Sequence, residues 1–237
     1  MRGLTQRKLP TPAGCALLGL LTLPLMPLAV GSPSANVLPA AASAPVGCLR
    51  EFPLTDPGRT PVAITSGPDN ALWFTEPGAN AIGRITLDGR ISEFPLPAAQ
   101  GEPGGIAQGP DDTLWFTEFK STQIGRIFPS GQVTQIALPT SMSGPDSIAA
   151  SGDGALWFTL ANSNAIGRIT TTGQIQAYAL PIADSLPHSI TSGSDGALWF
   201  TEYKANRIGR ISARHHSLPL ISFPQEGPAP NGEDEPE

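Results

Sequence analysis

The sequence has few of the residues on which most protein reaction chemistry depends. Its 237 residues include two cysteines and three histidines, which excludes a disulfide framework and limits imidazole chemistry to a few positions. Only 14% of the residues are charged and the net charge is −6, so no basic surface exists to neutralise phosphates, and we expect no nucleic-acid partner. Glycine and proline are abundant, with 26 of each, and this favours a turn-rich protein and excludes a coiled coil.

The N-terminal segment is typical of an export signal. Three basic residues precede an uncharged apolar stretch over 16–30, and the small residues around Ala44 offer a cleavage site. An uncleaved membrane anchor is the alternative, but about 15 apolar residues interrupted by two prolines are short for a span of roughly 20. We therefore predict that residues 1–44 are a signal and spacer, that the mature chain is secreted or periplasmic, and that it makes no membrane contact after cleavage.

The C-terminal residues have a different composition. Residues 226–237 contain acidic side chains among prolines and glycines, with too little apolar content to pack. We predict an acidic disordered tail there, and we assign 45–225 to the folded part of the chain.

An internal repeat organises that folded part. A Leu-Trp-Phe-Thr block recurs with its tryptophans at 73, 115, 157 and 199, which are 42 residues apart. An Ile-Gly-Arg-Ile block at 82–85 and a proline at 61 recur with the same spacing. Three landmarks in one register indicate a repeat architecture with a supersecondary unit of that length. We place the four units near 51–96, 97–138, 139–180 and 181–223.

Each unit contains four short apolar runs separated by turn residues, which predicts a four-stranded antiparallel sheet. In the first unit the runs are Val62–Ser66, Leu72–Glu76, Ile82–Thr86 and Ile91–Leu96. Leu-Trp-Phe is apolar at consecutive positions, so both faces of that strand must be covered, as when sheets stack on either side. The fold class predicted is all-β, with the four units as blades of a β-propeller; a linear β-solenoid fits less well because its repeats are shorter.

The strand count does not suit a closed ring of four blades. Glu51–Leu54 matches the outer-strand run of the first unit, and Leu218–Phe223 competes for the same place in the last blade. The sequence leaves open a fragment of a larger ring, a ring closed by self-association and a strained four-bladed ring.

The repeated blade resembles that of the streptogramin B lyases, also called virginiamycin B lyases. The resemblance rests on Gly-x-Asp-x-x-Leu-Trp-Phe-Thr-Glu, Asn-x-Ile-Gly-Arg-Ile-Thr and Gly-x-Ile-x-Glu-Phe-x-Leu-Pro over residues 51–212. It implies a seven-bladed propeller that confers antibiotic resistance, opening cyclic depsipeptides by a Mg²⁺-assisted elimination without water. Only four units are present, and the resemblance identifies no metal ligands in this chain.

One histidine matches a family motif. Pro187–Thr191 reads Pro-His-Ser-Ile-Thr, similar to the Pro-His-x-Ile-Thr motif that the family places at the mouth of the central channel. The resemblance therefore makes His188 the candidate catalytic residue. Asp146 occupies the equivalent place one unit earlier and is a candidate for contacting substrate or a cation. The family's second motif, Pro-His-Gly-Ile, has no match, and we interpret His215 and His216 as turn or edge residues.

The glutamates that follow Trp-Phe-Thr admit two interpretations. Glu76, Glu118 and Glu202 each precede the arginine of an Ile-Gly-Arg-Ile block across a hairpin, so a repeated cross-strand ion pair is the simpler expectation. By this expectation Arg168 lacks an acid, because Leu160 replaces it. Glu202 and Tyr203 share a unit with His188, and we include both as candidate substrate-binding residues.

The sequence is compatible with two functions. The first is an exported lyase-like propeller that acts on a small depsipeptide at the propeller face. Its activity is doubtful because the family's final blade is missing, so the sequence does not decide whether the chain is an enzyme. The alternative is a non-catalytic propeller that binds a peptide, a glycan or a partner protein.

Overall fold

The computed structural model describes residues 49–97 and 100–213, and this part of the chain is built from strands. Two short 3-10 helices, Pro57–Arg59 and Pro77–Ala79, are its only helical turns. No helix in the described residues is both long and apolar enough to cross a membrane. The predicted export signal and acidic tail lie outside the described residues, as do His215, His216 and Leu218–Phe223.

The strands form four separate antiparallel sheets, which confirms the predicted fold class. Blade 1 contains β1 (Ile64–Ser66), β2 (Ala71–Glu76), β3 (Ala81–Thr86) and β4 (Ile91–Pro95). Blade 2 contains β5 (Pro103–Gln108), β6 (Leu114–Glu118), β7 (Gln123–Ile127) and β8 (Val133–Ala137). Blade 3 contains β9 (Pro145–Ala150), β10 (Ala155–Leu160), β11 (Ala165–Thr170) and β12 (Ile175–Ala179). Blade 4 contains β13 (Pro187–Ser192), β14 (Ala197–Glu202) and β15 (Arg207–Ser212) within the described residues.

The turns explain why each unit folds into a meander. The link between third and fourth strands has a glycine with positive φ, 92° at Gly89, 89° at Gly131 and 88° at Gly173. Only glycine adopts this conformation without a steric cost, so the chain reverses at these points. Asn70 takes a φ of 57° between the first two strands of blade 1, where blade 3 uses Gly154.

The first strands of successive blades pack against each other, so the blades radiate from a shared axis. The approach is close: a Cβ added to Gly105 in β5 would lie 2.9 Å from the backbone nitrogen of Ile148 in β9. The repeat therefore produces radial packing, as the propeller interpretation requires, and the first strands line the hub.

The core lies between neighbouring blades. The tryptophan of one blade shares a buried cluster with the isoleucine of the next blade's first strand, as Trp115 does with Ile148. The glycine of each Ile-Gly-Arg-Ile block makes room for the phenylalanine beside it. A Cβ on Gly125 would lie 2.1 Å from the Phe116 ring. The repeated motifs are thus packing requirements of the blade.

Two expectations about strands were wrong. Glu51–Leu54 forms no strand, because none of the strand pairings in the described part of the chain involves it. The first strand of blade 1 begins at Ile64, two residues later than predicted, although the Val62 nitrogen still donates to the Thr75 carbonyl at 3.2 Å.

Candidate functional site

One end of every blade has the same polar cluster. In blade 3, Asp153 Oδ2 accepts a hydrogen bond from Arg168 Nε at 2.8 Å, and Oδ1 accepts one from Trp157 Nε1 at 3.4 Å. The carboxylate also accepts from the backbone nitrogen of Ala155 at 3.2 Å, so it holds the hairpin as well as the tryptophan. Equivalent aspartate–arginine ion pairs occur in the other three blades, at Asp69, Asp111 and Asp195.

This cluster overturns the expected pairing of the glutamates with the arginines. The register places Trp73 opposite Arg84, whereas Glu76 lies opposite Ala81 at the far end of the hairpin. A carboxylate three positions along the strand from the residue opposite the arginine cannot compete for that arginine with an aspartate in the adjoining turn. For the same reason Arg168 is not without an acid, because its partner is Asp153.

In three of the four blades the aspartate of this cluster has a pKa below its ordinary value. Burial by itself would raise the pKa of Asp153, but the hydrogen bonds from Arg168, Ala155 and Trp157 together with the arginine's charge lower it below its ordinary value. In blade 4, a bond from the Ala197 nitrogen and bonds from Trp199 and Arg210 lower the pKa of Asp195 to about 2. Four aspartate–arginine ion pairs in equivalent places indicate a structural role.

The opposite end of the blades contains the candidate dyad. His188 is the second residue of β13 and Asp146 is the second residue of β9, so the two stand side by side on neighbouring inner strands. Their side chains meet with 3.6 Å between Nδ1 and Oδ2. The imidazole is 64% exposed and the carboxylate is partly buried, so the histidine faces solvent with an acid behind it.

Backbone contacts fix the two residues of this dyad. The hydroxyl of Thr159 donates to the His188 carbonyl at 2.9 Å, and the hydroxyl of Thr117 donates to the Asp146 carbonyl at 2.6 Å. Both threonines come from the second strand of the preceding blade, so the inter-blade packing positions the dyad. The equivalent places in blades 1 and 2 hold Val62 and Gly104, which have no ionisable side chain.

The electrostatics of the dyad suit proton transfer. Burial raises the pKa of Asp146 above its ordinary value, and the charge of His188 opposes that rise. The free energy of a partly buried, ionised carboxylate falls when the neighbouring imidazole becomes an imidazolium. The pair can therefore accept a proton from a bound ligand, with the histidine as the exposed base.

The other two candidate substrate-binding residues differ from the dyad in their burial and in their hydrogen bonds. Glu202 ends β14 opposite Pro187, at the same end of blade 4 as His188. Its carboxylate is buried, and Oε2 has no hydrogen-bond partner among the described residues. Tyr203 lies in the following turn with an exposed ring, and its backbone nitrogen donates to the Leu186 carbonyl at 3.1 Å.

A polar cavity near this end was not predicted from the sequence. Its volume is about 200 Å³, and it is lined by the loops after β10, before β13 and after β14, which contribute Asn162, Asp184 and Lys204 respectively. In blade 2, Lys120 forms an ion pair with Glu102, but the equivalent of Glu102 in blade 4 is Leu186. That replacement removes an acid beside Lys204. A comparison of the loop sequences of the four units could have revealed the replacement.

The described side chains do not form a magnesium site. No group of three or more histidine, cysteine, aspartate or glutamate side chains in the described residues could hold a metal ion. Mg²⁺ prefers six oxygen ligands in an octahedron, whereas the dyad offers one carboxylate and one imidazole. What the dyad itself can supply to a reaction is a base.

Comparisons with known proteins agree on one family. The model of the virginiamycin B lyase family matches residues 34–231. A virginiamycin B lyase from Bordetella pertussis is 46% identical over 44 residues, which are 19% of this chain and 15% of that protein. The crystal structure of a virginiamycin B lyase from Staphylococcus aureus matches with a TM-score of 0.68 and 46% identity, covering 70% of this chain and 57% of that one.

A second structure of the Staphylococcus aureus enzyme is a catalytically inactive histidine-to-alanine variant with quinupristin. It matches with a TM-score of 0.69 and 46% identity, covering 71% of this chain and 57% of that one. The chain thus spans a little over half the length of these solved lyases and a small part of the curated relative.

Proposed function

Because this chain belongs to the virginiamycin B lyase family, we propose that the end of the propeller around His188 binds a cyclic depsipeptide of the streptogramin B type. The observation that carries the proposal is the pairing of an exposed histidine with a partly buried aspartate on two inner strands. The quinupristin complex of the Staphylococcus aureus enzyme supports the ligand class, since that enzyme is 46% identical over the matched region.

The dyad supplies the base for a β-elimination. Nδ1 of His188 faces Asp146, which leaves Nε2 free to take the α proton of the residue whose β carbon bears the ester oxygen. The electron pair of the broken C–H bond becomes the new carbon–carbon double bond, and the ester carboxylate departs from the β carbon with the electrons of its C–O bond. No water enters this step, and the negative charge of Asp146 stabilises the imidazolium that forms.

A purely binding role is the second candidate. The described part of the chain offers one histidine and no group able to hold a metal, so it can supply a base but no cation for the developing charge on the carbonyl oxygen. In this case the same face binds a peptide, a glycan or a partner protein without turnover.

Mass spectrometry after incubation with quinupristin separates the two candidates. Elimination predicts a linear product of unchanged mass that elutes differently from the antibiotic, with formation lost in His188→Ala. Thr171→Ala in an outer turn of blade 3 is the control and should behave as the unaltered protein. If calorimetry shows that quinupristin binds, but the antibiotic stays cyclic at high protein concentration, the result would support the binding role. Absence of binding would overturn the ligand class.

We also propose that the protein is exported. The support is the charge and apolar pattern of residues 1–44. Intact-mass measurement of protein recovered from the periplasm or medium should give a chain that lacks the basic and apolar residues of this N-terminal segment. A full-length chain recovered only from the cytosol would contradict export.

A further inference from the structure

A threonine joins the inner strands of neighbouring blades at each of the three interfaces that the structure describes. Between blades 3 and 4, the Ser147 nitrogen donates to the Thr159 hydroxyl at 3.0 Å, and that hydroxyl donates to the His188 carbonyl at 2.9 Å. Thr75 and Thr117 make the same two bonds at the two preceding interfaces. This bridge belongs to the repeat, because it occurs with or without the dyad.

The interface that carries the dyad has an additional hydrogen bond between its inner strands. The Ile190 nitrogen of β13 donates to the Ser147 hydroxyl of β9 at 3.2 Å. Ser147 directly follows Asp146 in the chain, and Ile190 lies two residues after His188. The bond therefore joins the two strands close to both residues of the dyad.

The other two interfaces between described blades have no hydroxyl at the place of Ser147. Ala63 holds that place in blade 1 and Gly105 holds it in blade 2. A Cβ on Gly105 would lie 2.9 Å from the Ile148 nitrogen, a separation that real Cβ atoms avoid. Because Ser147 has a Cβ, β13 must stand farther from β9 at this place than β9 stands from β5. The Ser147 hydroxyl spans this wider gap.

We propose that Ser147 is a positioning residue, which holds the His188 imidazole beside the Asp146 carboxylate by bonding β13 to β9. Thr159 fixes the carbonyl of the histidine, and the bond to Ile190 fixes the strand two residues further on. A catalytic group that is misplaced by about 1 Å can lose a factor of roughly 100 in rate. The importance of Ser147 for turnover rests on the proposed function, whereas its effect on the geometry of the dyad does not.

Ser147→Ala tests this bond, and Ser192→Ala is the matched control. Alanine is compatible with the blade at this place, since Ala63 is the equivalent residue in blade 1. The Ser192 hydroxyl donates to the Ala150 carbonyl and so joins the same two strands, at the end away from the dyad. Each variant removes one bond between β9 and β13, so a general loosening of the interface is common to both.

A titration of the Asp146 carboxyl by carbon-13 NMR reports the position of the imidazole without turnover. The charge of His188 lowers the pKa of Asp146, so His188→Gln should raise that pKa. The size of this rise decreases as the distance between the two groups increases. We expect the rise to fall to about half or less in the Ser147→Ala background and to stay unchanged in the Ser192→Ala background. Equal rises in all backgrounds would overturn the proposal.

The kinetics of quinupristin elimination provide the second readout. Ser147→Ala should lower kcat by about 10-fold or more and change KM by less than about twofold, because the base is misplaced while the ligand-binding surface is kept. Ser192→Ala should change neither constant. An active protein whose kcat is unaffected by Ser147→Ala would overturn the proposal. If the unaltered protein does not convert quinupristin, the proposed lyase function fails, and the Asp146 titration alone decides the role of Ser147.

Discussion

The two ends of each blade differ in how much they change along the chain. At one end the aspartate, tryptophan and arginine cluster is the same in all four blades. At the other end the first strand presents Val62, Gly104, Asp146 and His188 in turn. Since the repeat folds with any of these four residues, the blade does not require a histidine or an aspartate there. The invariant end therefore stabilises the fold, and the variable end is where we propose that the ligand binds.

The largest effect should come from breaking the invariant end. Asp153→Ala removes the acceptor for Arg168, Trp157 and Ala155, and it leaves a largely buried guanidinium without its acid. We expect the free energy of unfolding to fall by about 3 kcal/mol, measured by urea denaturation. Asp88→Ala removes an exposed acid of the outer turn in blade 1 and should cost less than about 0.5 kcal/mol. Equal losses in the free energy of unfolding in both variants would contradict the structural role of the cluster.

The same cluster should make the free energy of unfolding depend on pH in the acidic range. The pKa of Asp153 is lowered in the folded protein, so its ionisation contributes stability that is fully present above the ordinary value of 3.8. That contribution is lost as the pH falls through the lowered pKa. The difference in stability between the unaltered protein and Asp153→Asn should therefore be constant from pH 5 to 7 and shrink below 3.8. A difference that grows in acid would contradict this assignment.

The sequence predicted the invariant features more completely than the variable ones. The Trp-Phe and Ile-Gly-Arg-Ile blocks repeat at a fixed spacing, and they indicated the strands, the covered faces and the hairpin turns. The partner of Arg84 was mistaken because the glutamate is nearer along the hairpin, while Asp69 reaches the arginine from the turn before the strand. Only the cross-strand register distinguishes the two acids.

The candidate site was partly predictable for a physical reason. Asp146 and His188 hold equivalent places in successive units, and inner strands of neighbouring blades lie side by side. The polar cavity was not predictable, because it depends on how three loops pack together. Among the residues that line it, Asn164 has a φ of 50°, and Asn80, Thr122 and Asn206 share that conformation at the equivalent places of the other blades, so the turn belongs to the repeat while the cavity does not.

A buried glutamate at the variable end should respond in the opposite sense to Asp153. Burial and the nearby charge of Glu93 raise the pKa of Glu76, and the Arg59 charge only partly offsets them. Neither carboxylate oxygen has a hydrogen-bond partner within residues 49–97 and 100–213, and Arg59 retains Glu93 at 2.8 Å if Glu76 is neutralised. We expect Glu76→Gln to stabilise the protein at pH 7 by roughly 0.5–1 kcal/mol, measured by urea denaturation.

The pH profile and a matched variant test this expectation. For an acid whose pKa is raised on folding, the cost of ionisation is fully present above the raised value and disappears below the ordinary 4.5. The gain from Glu76→Gln should therefore vanish in acid. Glu118→Gln is the matched variant, and it should give no gain, because that carboxylate already accepts bonds from Ser121 at 2.7 Å and Gln135 at 2.6 Å. A gain in Glu118→Gln alone would contradict the assignment of Glu76 as the destabilising acid.

The smallest effect, and the one closest to function, is the coupling within the dyad. A separation of 3.6 Å between Nδ1 and Oδ2 permits charge attraction, and the exposed imidazole limits its strength. A double-mutant cycle of Asp146→Asn and His188→Gln, measured on the free energy of unfolding, should give a favourable coupling of about 0.2–1 kcal/mol at low ionic strength. At about 1 M salt the coupling should approach zero, because salt screens the attraction between partly exposed charges. A coupling that is the same at both salt concentrations would mean that the two side chains interact by packing, and the dyad would then have no basis as a proton acceptor.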